Sequence, residues 1–201
     1  CEGNAWQYLW LVPQDPEGLI DLLGGDEKYT EKLDELFSMS SDLGKEASMD
    51  ITGLIGQYAH GNEPSHHTTY MYAYSGQPYK IADKVRYINN ELYTDQPDGL
   101  SGNEDCGQMS AWHIFSSLGF YPVNPSNGAY VFGSPLFDAA SIALPDNKKF
   151  TIIAKENSDD NIYIQSVKLN GKDYKYSYIT HKDIMQGGEL IFNMGSKPNL
   201  N

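Results

Sequence analysis

The hydrophobic period of this chain changes once, after Pro125, and that change decides which fold classes are open to it. Before it, apolar residues recur at helical spacing. Tyr29, Leu33, Leu36 and Phe37 share one face of a segment that Asp26 can cap and that runs to about Met39. Ile81, Val85, Ile88 and Leu92 form a second stripe between Pro78 and Tyr93, with Asp83, Lys84 and Arg86 outside it. Met109, Trp112, Phe115 and Leu118 form a third, from about Cys106 to a stop at Gly119. Residues 65–74 read as one more helix, ended by Gly76 and forming an αα-hairpin with the 78–93 helix. Residues 18–23 read as a short apolar turn and 40–56 as mostly loop. After Pro125 the runs 130–132, 142–144, 150–155, 162–169, 172–178 and 189–194 read as short strands, with Asn170-Gly171 as a two-residue hairpin turn. The chain is therefore read as α+β: helical hairpins over residues 1–127, then a small antiparallel β unit over 128–201.

At 201 residues and 40% hydrophobic content the chain can bury a real core, which excludes global disorder. The net charge of −13 repels phosphates and argues against a nucleic-acid partner; it suits neutral substrates and cations such as calcium. No apolar run approaches membrane-spanning length. The 15 tyrosines and 3 tryptophans offer flat faces for sugar rings, or simply for a core. Cys1 and Cys106 form no zinc-like pair, and their mutual pairing is left open. A first residue that is Cys rather than Met reads as a piece of a longer protein, so the lack of a signal peptide carries little weight.

Polar residues gather in three places. Residues 98–105 carry Asp98-Gly99, Ser101-Gly102 and then Asn103, Glu104 and Asp105, at the mouth of an apolar helix. Loop-borne carboxylates held by a rigid element suit chemistry, although Asp105 is also a natural helix cap. Glu2 stands beside Gly3 and Asn4, ahead of Trp6, Tyr8 and Trp10, and on position alone reads as a solvated terminus. Residues 61–67 hold Asn62 and Glu63 before Pro64, then His66 and His67. Adjacent histidines on a helix point about 100° apart, so they do not form a zinc pair, and capping or packing suits them better. Helical hairpins with loop-borne acids suggest an α/α toroid, whose loops converge on a pocket. Two carboxyl groups there, roughly 6.5–9.5 Å apart, leave room for the water of an inverting glycosidase.

Three segments carry a resemblance to a known family: Glu2-Gly3-Asn4-Ala5-Trp6-Gln7-Tyr8, Gly61-Asn62-Glu63-Pro64-Ser65-His66, and the long run from Gly99 through Gly102-Asn103-Glu104-Asp105-Cys106-Gly107-Gln108 to Trp112. Leu118-Gly119-Phe120-Tyr121-Pro122 and Gly133-Ser134-Pro135-Leu136-Phe137 extend it over nearly residues 1–140. The chain resembles the C-terminal part of glycoside hydrolase family 92, the calcium-dependent exo-acting α-mannosidases.

The resemblance implies an inverting hydrolase with an (α/α)6 catalytic domain, of which residues 1–127 would be a part. It implies Glu2 as general acid and Asp105 as general base. Asn62, Glu63, Asn103 and Glu104 become substrate-binding candidates, and Glu63, Asn62 and Asp105 the oxygen donors to calcium, a cation that takes several such ligands. Members of that family with two acidic residues around the base can have Asp where this chain has Asn103. Those cutting α-1,2 bonds often have His-Glu where it has Asn62-Glu63, which leaves the linkage open. Burial near Trp6 or Trp10 would help Glu2 keep a proton, and a helix N-terminus suits an ionised Asp105. The implied partners are a mannose-containing glycan and an N-terminal region of the same protein, in the periplasm or outside the cell. A piece of such a ring is expected to be inactive or weak alone. The alternatives are a non-catalytic sugar-binding or structural module and a phosphate-using toroid enzyme.

Overall fold

Helix α5, Gln108–Leu118, is the element against which both halves of the fold pack. Trp112 faces one buried cluster, and Phe115 touches both that cluster and a second one. The structure, a computed structural model, describes residues 2–45 and 47–200. Its helical part also contains α1 (Ala5–Tyr8), α2 (Pro16–Leu23), α3 (Asp26–Ser38) and α4 (Lys80–Glu91). A small hairpin, β1 (Leu54–Ile55) with β2 (Tyr58–Ala59), lies between α3 and α4. The first cluster gathers Trp10, Tyr29, Leu33, Leu36, Met71, Val85 and Ile88 around Trp112.

Helices α3, α4 and α5 match the three periodic stripes, because a one-sided apolar stripe has to be buried against a neighbour. Two other readings do not hold. Residues 16–23 form a full helix: Pro16 takes its first position, the Asp15 carboxylate accepts the Gly18 N–H at 3.0 Å, and Gly24 ends it at φ 95°. Residues 65–74 are not an α-helix. They form two 3-10 turns, Glu63–Ser65 and Thr68–Ala73, closed by bonds such as Tyr74 N–H to Met71 C=O at 3.1 Å. Thr68, Thr69, Tyr70, Met71 and Tyr72 are all buried, so no face is free to be the polar side of a helix. The element paired with α4 is accordingly tighter and shorter than expected.

Arg86 is also corrected. The helical stripe places it outside the core, yet it is 7% exposed. Its guanidinium donates to Ser134 Oγ at 2.9 Å, to the Pro135 carbonyl and to Asn157 Oδ1. The β part of the chain covers α4 at Arg86, while Asp83 and Tyr87 stay exposed, and Tyr163 Oη adds a second link by donating to Asp83 Oδ1 at 2.6 Å.

The β part holds β3 (Phe120–Tyr121), β4 (Ala129–Phe132), β5 (Ala139–Ala143), β6 (Lys149–Lys155), β7 (Tyr163–Leu169), β8 (Lys172–Tyr174), β9 (Tyr178–Thr180) and β10 (Gly188–Gly195). One sheet has the order β3-β4-β9, drawing strands from both sides of residue 127; the other has the order β5-β6-β10-β7-β8. The expected Asn170-Gly171 turn is present, with φ 51° and 78°, pairing Leu169 with Lys172. The unit is not purely antiparallel. β10 runs parallel to β6, with Gly188 opposite Phe150. A parallel neighbour needs a long crossover, and helix α6 (His181–Gln186) lies on that path. The second cluster, with Phe120, Phe132, Phe150, Leu190 and Phe192, is buried among these strands.

Candidate active site

Three loops meet at the N-terminal ends of α1 and α5, and glycines let their backbones touch. A Cβ on Gly102 would stand 2.2 Å from the Gly61 carbonyl oxygen, and one on Gly61 would stand 1.9 Å from Thr52 Oγ1. No larger residue fits at either position without moving main chain. This contact brings the 61–63 loop to the 99–105 loop. The Asn62 side-chain amide then donates to the Glu2 carbonyl at 3.1 Å and draws in the first segment.

Glu63 lies at the centre of the assembly. Its pKa is raised, first by burial, then by the Asp105 side chain within hydrogen-bonding reach, and further by the charges of Asp105 and Glu2; its own backbone N–H opposes this. Glu63 thus lies within reach of the Asp105 side chain and of the Glu2 charge. Glu63 Oε1 is buried and accepts no hydrogen bond. The ion pairs of the described residues, such as Lys80–Asp34 and Lys32–Glu35, lie elsewhere.

Asp105 is exposed and does not cap α5, whose N-cap is Gly107. Glu104 takes that part instead: it accepts the Ser110 N–H at 3.0 Å and the Ser110 hydroxyl at 2.8 Å. Both its oxygens therefore face the helix start rather than the hollow between the loops. Asn103 is exposed. The burial expected for Glu2 is not supplied by the nearby tryptophans. Glu2 is exposed, Trp10 lies in the core, and Lys32 Nζ sits 3.7 Å from the centre of the Trp6 ring. Cys106 is exposed, while Cys1 lies outside the described residues, and with it the question of their pairing.

A buried histidine layer supports these loops. Tyr93 Oη donates to the Met109 carbonyl at 3.0 Å, so it accepts from His60 Nε2 at 2.7 Å, which leaves His60 Nδ1 to accept from Tyr58 at 2.8 Å. His66 Nε2 donates to the His60 carbonyl at 3.0 Å, and its Nδ1 accepts from Gln108 Nε2 at 3.2 Å. Trp112 Nε1 donates to the His66 carbonyl at 2.9 Å. His67 Nε2 donates to the Trp10 carbonyl at 2.6 Å. Burial keeps all three rings neutral: His60 and His67 are lowered, and His66 is brought down to about 4. The packing role read for the adjacent histidines is what they perform.

Gln57, His60 and Tyr93 were not singled out in the sequence. Gln57 Oε1 accepts from Asn4 Nδ2 at 2.9 Å, and its backbone carbonyl accepts from Gln7 Nε2 at 2.6 Å. One signal was available: a polar residue set between Ile55-Gly56 and Tyr58-Ala59, in an otherwise apolar patch.

Carboxyl groups in unlike surroundings, gathered on loops at helix starts, are what acid–base cleavage of a glycosidic bond requires. The comparisons give the same class. The model of the glycosyl hydrolase family 92 catalytic domain matches residues 1–196. An uncharacterized secreted glycosidase of Arthroderma benhamiae is 32% identical over 199 residues, 98% of this chain and 24% of that protein. The family GH92 α-mannosidase of Bacteroides thetaiotaomicron, solved in complex with mannoimidazole, is similar with TM-score 0.91 and 44% identity, over 98% of this chain and 26% of that one. A family GH92 inverting mannosidase of the same bacterium gives TM-score 0.86 and 40% identity, over 100% and 28%. The chain belongs to glycosyl hydrolase family 92. It spans about a quarter of the length of these relatives.

Proposed function

We propose that this chain is the part of an exo-acting, inverting α-mannosidase that carries both catalytic carboxyl groups, Glu2 as acid and Asp105 as base, within a larger α/α toroid. The observation that carries this is the approach of three loops, with Asn62 bonded to the Glu2 backbone and Glu63 within reach of Asp105 and of the Glu2 charge. Asp105 stands at a positive helix end and is free of the capping bonds that Glu104 makes, so its carboxylate is available to take a proton from water. Glu2, on the opposing loop, would protonate the departing sugar oxygen. The substrate class is a mannose-containing glycan, and the secreted relative supports an extracellular or periplasmic setting.

A calcium ion fits the residues in part. Among the described residues no three His, Cys, Asp or Glu gather as a metal cluster by themselves. Yet Glu63 Oε1 is buried without a donor, and the Asp105 side chain is within reach of Glu63. Glu63 and Asp105 would hold the ion, the remaining oxygens coming from other parts of the protein and from the sugar. When bound it would supply positive charge to the 2- and 3-hydroxyls and favour a flattened sugar ring.

The test is Asp105→Asn in the full-length enzyme. Turnover of a mannobiose falls by about 100-fold or more with the fold unchanged by circular dichroism. Near-normal turnover would remove Asp105 from the reaction. A released sugar of retained anomeric configuration, read by proton NMR, would remove the inverting mechanism.

A further inference from the structure

Glu2 is exposed and has a positive φ of 59°, a conformation a non-glycine residue keeps only when its surroundings impose it. Two side-chain amides impose it here. Asn62, 8% exposed and sixty residues along the chain, donates Nδ2 to the Glu2 carbonyl at 3.1 Å. Gln57, 5% exposed, receives Asn4 Nδ2 on its Oε1 at 2.9 Å. Asn4 in turn caps α1, accepting the Trp6 N–H at 2.8 Å, while its own N–H is taken by Gln7 Oε1 at 2.7 Å. Gln57 Nε2 is tied to the Ser40 carbonyl at 2.5 Å, so the anchor is itself fixed. The Glu2 loop therefore rests on two struts, one directly on its backbone and one through the cap of the helix that follows.

We propose that Asn62 is a positioning residue for Glu2, with Gln57 as its second support, rather than primarily a ligand of the sugar or the cation. The proposal rests on the reading of Glu2 as the acid. One N–H of the Asn62 amide is committed to the Glu2 backbone carbonyl, which fixes the side chain where it holds the Glu2 loop. A displaced acid penalises only reactions that need protonation of the leaving group. That gives a signature distinct from a binding defect.

The experiment uses the full-length enzyme with calcium and two substrates: a mannobiose, whose leaving alkoxide needs a proton, and 2,4-dinitrophenyl α-mannoside, whose leaving group does not. Asn62→Leu, close in shape but without a donor, lowers kcat on mannobiose by about 10- to 100-fold, leaves KM within about twofold, and leaves the aryl mannoside nearly untouched. Asn62→His, whose ring Nδ1–H reaches about as far as the lost amide, restores most of the kcat. Gln57→Met, which removes the bond to the Asn4 cap, gives a weaker loss of the same kind. Half-activating calcium concentration stays the same throughout. A raised KM with kcat intact, a shifted calcium requirement, or equal losses on both substrates would overturn the proposal. Glu2→Gln serves as the control. If it leaves mannobiose turnover normal, the reading of Glu2 as acid fails. If it shows the expected loss while Asn62→Leu acts through KM, the positioning role alone fails.

Discussion

Asp105 and Cys106 both have positive φ, 44° and 58°, and Gly107 follows at 89°. Two consecutive non-glycine residues in that region cost on the order of 1–2 kcal/mol each, so the turn persists because its surroundings fix it. Glu104 is the fixing group, clamped on Ser110, and Asp105 is what the turn turns outward. The same scale explains Glu63. Its folded pKa is raised, so the folded protein holds a proton that the unfolded chain has released, and stability falls as pH rises from the usual carboxylate value of 4.5 through the raised one. Glu63→Gln removes that penalty. Without calcium, the thermal midpoint at neutral pH is expected to rise, and the gain should vanish below the usual carboxylate range. With calcium the order reverses, because the wild-type carboxylate gains a cation. Identical calcium shifts in both proteins would place the ion elsewhere.

At the scale of elements, the legible parts are those whose burial is one-sided. Helices α3, α4 and α5 and the Asn170-Gly171 hairpin follow directly from spacing. The 3-10 turns do not, because a segment buried on every side has no stripe to read. The parallel pairing of β6 with β10 was hidden for another reason: α6 has six residues, too few for a period, although Thr180 and Asp183 form a capping box at its start. Arg86 was misplaced because a helix wheel distinguishes apolar from polar faces, not covered from open ones. Its guanidinium, on three partners from the β part, makes a clear expectation. Arg86→Ala should cost about 2–4 kcal/mol in denaturant unfolding, since it strands Ser134, the Pro135 carbonyl and Asn157. A loss under about 0.5 kcal/mol would mean that water replaces the guanidinium without difficulty.

For the molecule as a whole, the site and the core are one structure, and the histidine layer is where they join. The motifs were readable as sequence, but their meeting depends on groups that no spacing reveals: Gln108 on His66, Trp10 under His67, Gly102 against Gly61. This layer also sets how the protein responds to acid. In the unfolded chain the three histidines take up protons as pH falls below their usual 6.5; in the folded protein burial refuses them, His66 down to about 4. The folded state thus binds fewer protons in that window, so its stability is complete above 6.5 and is lost progressively as pH falls toward 4. His66 alone accounts for on the order of 3 kcal/mol of this. The single carboxyl of Glu63 works in the opposite direction and is outnumbered. The thermal midpoint is expected to drop steeply between pH 6.5 and 4, with proton uptake on unfolding, and replacing His66 by Gln, which keeps a donor for the His60 carbonyl, should flatten that slope. The motif segments ride on this layer, so the activity proposed for the full-length protein should fall with the same midpoint. A flat stability profile through that window would show that the rings take protons in the folded state, and that the layer is open to water.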